Sequence, residues 1–141
     1  MLSGLLVSLS AAIVLLLGTI HLVYTFRGPL LTPRDPAVRA AMLATHPVLT
    51  RRTTMWRAWI GFNASHGLGA ILFGLLYGYL ALAQPALLFG SPFLLAVGLG
   101  ALAAYLLLAK LYWFRIPLAG MLVAFLWYLA GVAAALLGGT A

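Results

Sequence analysis

The chain has no cysteine and no glutamate, and its single acid is Asp35. Without thiols there is no disulfide, thiolate metal site, iron–sulfur cluster or cysteine nucleophile. Without a carboxylate in any apolar stretch there is no di-iron site and no proton-coupled pump of the common carboxylate kind. Charge of either sign is scarce: it makes up 6% of the sequence, against about 25% in an ordinary soluble domain. Hydrophobic residues make up 65%. A water-facing surface cannot be assembled from one acid and eight Lys and Arg, so the outer face is expected to meet lipid. The net charge of +7 does not point to nucleic acid, because no basic helix carries interleaved base-reading residues. Membrane lipids are the expected partners of that charge, and nucleic acid is not.

What is present is a series of long apolar runs. Four are read as transmembrane helices, at about 5–26, 54–83, 93–111 and 116–137, in a single membrane domain covering 1–141. The first run is longer than the apolar core of a signal peptide and no Lys or Arg precedes it, so it is read as a retained helix. Its 22 residues reach about 33 Å, enough to cross the hydrocarbon layer. Pro29 ends it, and Gln84-Pro85 ends the second run. The third run has an alternative start near Pro85 with a bend at Pro92. Between the first and second lies the one polar stretch. Asp35 followed by Pro36 reads as an N-cap with proline at the first helical position, opening a short helix over about 36–45. Val38, Ala41, Met42 and Thr45 share a face of it and Arg39 lies off that face, as in a helix resting on a membrane surface. An ordinary connecting turn is the alternative.

Charge placement sets the orientation. Arg27, Arg34, Arg39, Arg51, Arg52 and Arg57 lie in or beside the first loop, and Lys110 and Arg115 beside the third. The N-terminus, the loop near 84–91 and the C-terminus carry no Lys or Arg. The positive-inside rule makes the basic loops cytoplasmic and both termini periplasmic in an inner membrane. The expected fold is therefore an all-α, antiparallel bundle of four transmembrane helices, with a short cytoplasmic interfacial helix between the first two.

Small residues recur at four-residue spacing on the second helix, as Gly61, Ser65 and Gly69 and again as Ala70, Gly74 and Gly78. Such stripes let helix backbones approach closely in lipid. Nine residues at about 100° each rotate the second stripe about 180° from the first, so this helix has two packing faces. Either both serve the bundle, or one meets another membrane protein.

Polar groups inside the spans are few: His21 on the first helix, and Asn63, Ser65 and His66 on the second. Trp56, Trp59, Asn63 and His66 follow one another at spacings of three, four and three, which places them on one helix face. His21 precedes Arg27 by six residues and Asn63 follows Arg57 by six, so each lies about 9 Å beyond its arginine, with His66 about 13–14 Å beyond. In antiparallel neighbours the three would share a depth. Intramembrane polar residues mark functional sites, or they are interhelical glue worth about 0.6–2 kcal/mol each. As a site, His21 or His66 would bond a carbonyl or hydroxyl of an apolar molecule while Trp59 and Phe62 stack on its ring. A bis-histidine haem is a further reading of the same pair; a zinc site lacks ligands. Ser65 and His66 are adjacent, about 100° apart on the helix, and form no catalytic pair. His46, before Pro47, is read as a solvated loop residue.

His21-Leu22-Val23-Tyr24-Thr25-Phe26, the Pro- and Arg-containing loop, Thr53-Thr54-Met55-Trp56 and the Gly-Phe-Asn-Ala-Ser-His string at 61–66 resemble a family of small bacterial four-helix membrane proteins. The resemblance covers the first half of the chain and implies the four-helix plan, without an activity. The general plan is also similar to that of DoxX-like and anthrone-oxygenase-like proteins, a likeness of fold that carries no function.

Two functions are expected from these features. The first is an accessory or structural subunit that packs against a larger membrane complex or against copies of itself. The second is an independent binding protein or enzyme for a small apolar ligand (quinone, isoprenoid, lipid or haem) held by His21, Asn63 and His66. The missing catalytic set weighs toward a non-enzymatic role.

Overall fold

The computed structural model describes residues 1–138; the last three residues of the expected domain lie outside the described residues. Six helices follow in order: α1 (Leu2–Phe26), α2 (Pro36–Ala44), α3 (Met55–Ala83), α4 (Pro85–Phe89), α5 (Pro92–Tyr112) and α6 (Arg115–Gly138). Among the described residues there is no strand. α1, α3, α5 and α6 are long and apolar enough to cross a membrane. Leu82, Phe93 and Ile116 are each at least 70% exposed, a surface that suits lipid and not water. The fold is all-helical with four candidate spans, consistent with an integral membrane protein.

α1 starts three residues earlier than the apolar run suggested; α5 starts at Pro92, one residue before the expected start near 93, and the alternative start near Pro85 is a separate helix, α4. Proline explains that separation. Pro85 has no N–H to continue α3, so the chain breaks at Gln84 and restarts as α4 with proline in its first turn. Ser91 then caps α5, its hydroxyl accepting from the Leu94 N–H at 3.3 Å, with Pro92 at the first helical position.

The described residues form two compact units: Met1–Leu17 with the chain from Ala70 onward, and Gly18–Gly69. In the first, the core gathers Val7, Phe73, Tyr77, Leu102, Met121 and Tyr128. Its polar groups are matched to backbone carbonyls. The Ser10 hydroxyl donates to Ala124 O at 2.7 Å, Tyr77 to Leu94 O at 2.8 Å and Tyr128 to Leu95 O at 3.0 Å. A buried hydroxyl in lipid needs such a partner, since water is not there to replace it. Gly98 makes room for the tyrosine pair: a Cβ there would collide with the Tyr128 hydroxyl and with Tyr77 Cε1. Gly74 lies against α1, where a Cβ would come 2.6 Å from Leu15 Cβ and 2.8 Å from Ala11 O.

The second unit holds the end of α1, α2 and the start of α3. Gly28 turns the chain out of α1 with φ +84°, a conformation that side chains with a Cβ avoid. α2 is capped by Asp35, whose carboxylate accepts from the Ala37 N–H at 2.8 Å, with Pro36 at the first position. The loop after α2 is closed by Met55 N–H donating to Thr45 O at 2.9 Å. His46 is exposed, and its Nδ1 lies 2.8 Å from Thr53 O. A carbonyl only accepts, so Nδ1 carries the proton. Thr54 caps α3 through the Arg57 N–H at 3.3 Å. Asp35→Ala removes the α2 cap and is expected to cost about 1 kcal/mol. Hydrogen exchange should then show faster exchange of the α2 amides, with the four long helices unchanged.

Candidate intramembrane site

The second unit brings together the residues on which a site would depend. Gly67 of α3 faces the α1 backbone: a Cβ there would lie 3.2 Å from Gly18 O and 3.3 Å from Leu22 N. Two chains approach so closely only where one of them lacks a side chain. This contact sets the spacing of the next residues, and the His21 and His66 rings meet edge to face, with centroids 5.0 Å apart and planes at 73°.

Asn63 is 8% exposed. Its Nδ2 donates to Trp59 O, one turn back on its own helix, at 2.9 Å. The Asn63 side chain and backbone also interact with the His21 ring by hydrogen bonding, an interaction that leaves Nε2 itself unmet. His21 Nε2 is buried and has no hydrogen-bond partner. The Thr25 hydroxyl, at 2.8 Å, uses the His21 carbonyl and not its ring. A nitrogen hidden from solvent and unpaired costs about 1–3 kcal/mol, so this atom is the unusual feature of the site.

Not every residue of the expected set joins it. Phe62 is 72% exposed, in contrast to the buried Asn63 beside it. Ser65 is exposed too, its hydroxyl turned back to Phe62 O at 2.9 Å. Trp59 is 40% exposed and clamps the loop, its Nε1 donating to Leu31 O at 3.0 Å. The structure brings His21, Asn63 and His66 together, with the Ser65 hydroxyl turned back to its own helix.

The same unit leaves Gly61 open, with nothing within 4 Å of a Cβ built there, and Ser65 and Gly69 are likewise exposed. The stripe around Gly74 differs: Gly74 packs directly on α1, and a Cβ on Gly78 would meet Ala11 Cβ at 3.8 Å. Arg27, Arg51, Arg52, Arg57, Lys110 and Arg115 are all exposed. Sequence reasoning missed Gly67 and Gly18. The available signal was a glycine beside His66 and another three residues before His21.

No family model matches the chain, and neither does any curated protein or solved structure. The geometry of the cluster thus carries the functional argument by itself.

That geometry does not fit a haem between the two histidines. Metal–nitrogen bonds of about 2.0 Å on each face, plus a ring radius of about 1 Å on each side, require centroids roughly 6 Å apart across the macrocycle. At 5.0 Å and edge to face the imidazoles touch each other. Among the described residues no three His, Cys, Asp or Glu gather as a metal site would need. What the cluster holds is a buried imidazole nitrogen whose hydrogen-bonding capacity is unmet. It bonds a carbonyl if Nε2 carries the proton and a hydroxyl if it does not.

Proposed function

We propose that this protein is an inner-membrane binding protein whose His21–Asn63–His66 cluster holds a small amphipathic molecule by a carbonyl or hydroxyl, the rest of that molecule lying among apolar side chains. Quinones, isoprenoids and lipids have this chemistry. The observation that carries the reading is the buried, unpartnered Nε2 of His21. A histidine kept only to join helices would not leave a buried ring nitrogen unpaired, because an unmet polar group is costly where no water can replace the bond. Both termini are periplasmic in this reading and the basic loops cytoplasmic, supported by the distribution of all eight Lys and Arg. A reporter fused after Ala141 tests the orientation by itself.

Native mass spectrometry of the full chain, extracted gently from its own membranes, tests the binding. The expected result is a defined non-protein mass in stoichiometric amount, retained by wild type and lost from His66→Ala. A protein that carries no such mass, or that carries it equally in both forms, contradicts the reading.

One observation favours a second reading, that of an accessory subunit or homo-oligomer. The Gly61, Ser65 and Gly69 face of α3 is exposed and flat, as helix–helix contacts in lipid require. On that reading the same spectrum shows a partner chain, which Gly61→Leu removes. Gly74 cannot serve as the probe, because it packs inside its own chain.

A further inference from the structure

The second unit contains a second feature, built from residues that the imidazole cluster does not use. A groove of about 330 Å³ opens between the end of α1, the turn at Gly28, α2 and the first turns of α3. Tyr24, Thr25, Phe26, Arg39, Trp56 and Ile60 line it. An apolar trough of about 340 Å³ adjoins it, sharing Leu31 and Thr32, with Leu30, Pro33, Met42 and Trp59 as its other walls.

Arg39 is the one charged residue lining either hollow. Its guanidinium carbon sits 5.3 Å from the centre of the Trp56 ring. This contact holds the charge in place without consuming its N–H donors. Among the described residues no carboxylate answers it. The chain's one acid is Asp35, and its carboxylate is engaged by the Ala37 N–H at the α2 cap. An oriented guanidinium with free donors takes an anion with two oxygens, and phosphate matches its fork. The apolar trough beside it suits the hydrocarbon attached to that phosphate and would have no use for a free ion. Val38 and Leu43, each 48% exposed, extend the apolar surface along α2 itself.

We propose that Arg39 and Trp56 form a binding site for the phosphodiester headgroup of an anionic membrane phospholipid, with its glycerol and upper acyl chain lying in the trough lined by Leu30, Met42 and Trp59. Diffuse attraction between a basic loop and an acidic bilayer would spread over every arginine near it. This site depends on one of them. It seats the α2 hairpin on the bilayer through a particular lipid, and it stands whether or not His21 binds a ligand.

Delipidated full-length protein in neutral detergent is titrated with short-chain phosphatidylglycerol, short-chain phosphatidylcholine and inorganic phosphate, with bound lipid read by native mass spectrometry. Wild type is expected to bind one phosphatidylglycerol about tenfold or more tighter than phosphatidylcholine, the scale of one charge-assisted contact. Arg39→Gln is expected to erase that preference. Arg34→Gln, the same charge change at an exposed residue lining neither hollow, should leave it within about twofold, a surface-charge effect only. Arg39→Lys keeps the charge and loses the fork, and should fall between, so an unstable Gln variant does not end the test. Equal losses from Arg34→Gln and Arg39→Gln would overturn the site in favour of diffuse charge. Millimolar inorganic phosphate displacing the lipid would overturn the lipid assignment in favour of a small-anion site. His21→Leu should leave phosphatidylglycerol binding unchanged, so failure here and failure of the intramembrane ligand read separately.

Discussion

Gly74→Ala is expected to cost about 2 kcal/mol or more and to leave little folded protein in the membrane. The added methyl would sit 2.6 Å from Leu15 Cβ, 2.8 Å from Ala11 O and 2.9 Å from Leu15 Cα. Two of these atoms belong to the backbone of a long helix, and they cannot be moved by rotating a side chain. Overpacking costs about 1–3 kcal/mol and at times more, and a clash with immovable backbone lies at the upper end, about 3 kcal/mol or more. The alanine regains roughly 1 kcal/mol of helix propensity, which does not offset it. Gly61→Ala is the matched control. Nothing lies within 4 Å of its Cβ, so only the propensity gain of up to about 1 kcal/mol remains. Denaturant titration of both variants in one detergent should show opposite signs. A Gly74→Ala protein as stable as wild type would mean that α1 and α3 do not meet at this point.

The second large effect is expected at a residue that touches no ligand. Gly67→Leu should abolish retention of the small molecule at the imidazole cluster, with a fall of about tenfold or more in bound mass. The Gly67 contact with Gly18 O and Leu22 N sets how far the His21 and His66 rings stand apart. A leucine there forces the helices outward, and a hydrogen bond lengthened by even 1 Å is largely lost. Gly67 is thus a positioning residue. Gly67→Ala separates this role from a general folding defect. Its methyl meets neighbours at 3.2–3.3 Å, close enough to shift the rings and too slight to unfold the chain. It should lower bound ligand while leaving the hydrogen-exchange protection of α5 and α6 as in wild type. Equal ligand content in Gly67→Leu and wild type would show that the ring spacing does not matter.

The architecture was largely readable from the sequence because lipid simplifies the problem. Apolar length sets a span, and Pro29, Pro85 and Pro92 mark where backbone N–H groups run out. Asp35-Pro36 announced α2 for the same local reasons that cap any helix. Other features needed three dimensions. Gly61 and Gly74 look alike in the sequence, each in a small-residue stripe, and only the fold shows that one faces open space and the other a helix backbone. Phe62 stands next to Asn63, yet it is 72% exposed while Asn63 is buried. His21 and His66 could be matched in depth by counting residues from the arginines. Whether their nitrogens were satisfied could not be read this way, because hydrogen-bond partners depend on rotamers and on the glycine-controlled approach of α1 to α3. Arg39 was placed off the apolar face of α2 by periodicity alone; its seat over Trp56 depends on the loop folding back.

The central claim is that His21 is kept for a ligand and not for the fold, and a change in stability with a definite sign separates the two. The measurement is the denaturation midpoint of ligand-stripped His21→Leu against ligand-stripped wild type, in the same detergent. If His21 serves a ligand, leucine replaces an orphaned buried nitrogen with hydrocarbon of similar bulk, and the variant should be as stable as wild type or more so, by up to about 1–3 kcal/mol. If His21 were interhelical glue, its removal should instead destabilise by about 0.6–2 kcal/mol; a lowered midpoint, together with unchanged bound mass before stripping, would contradict the account.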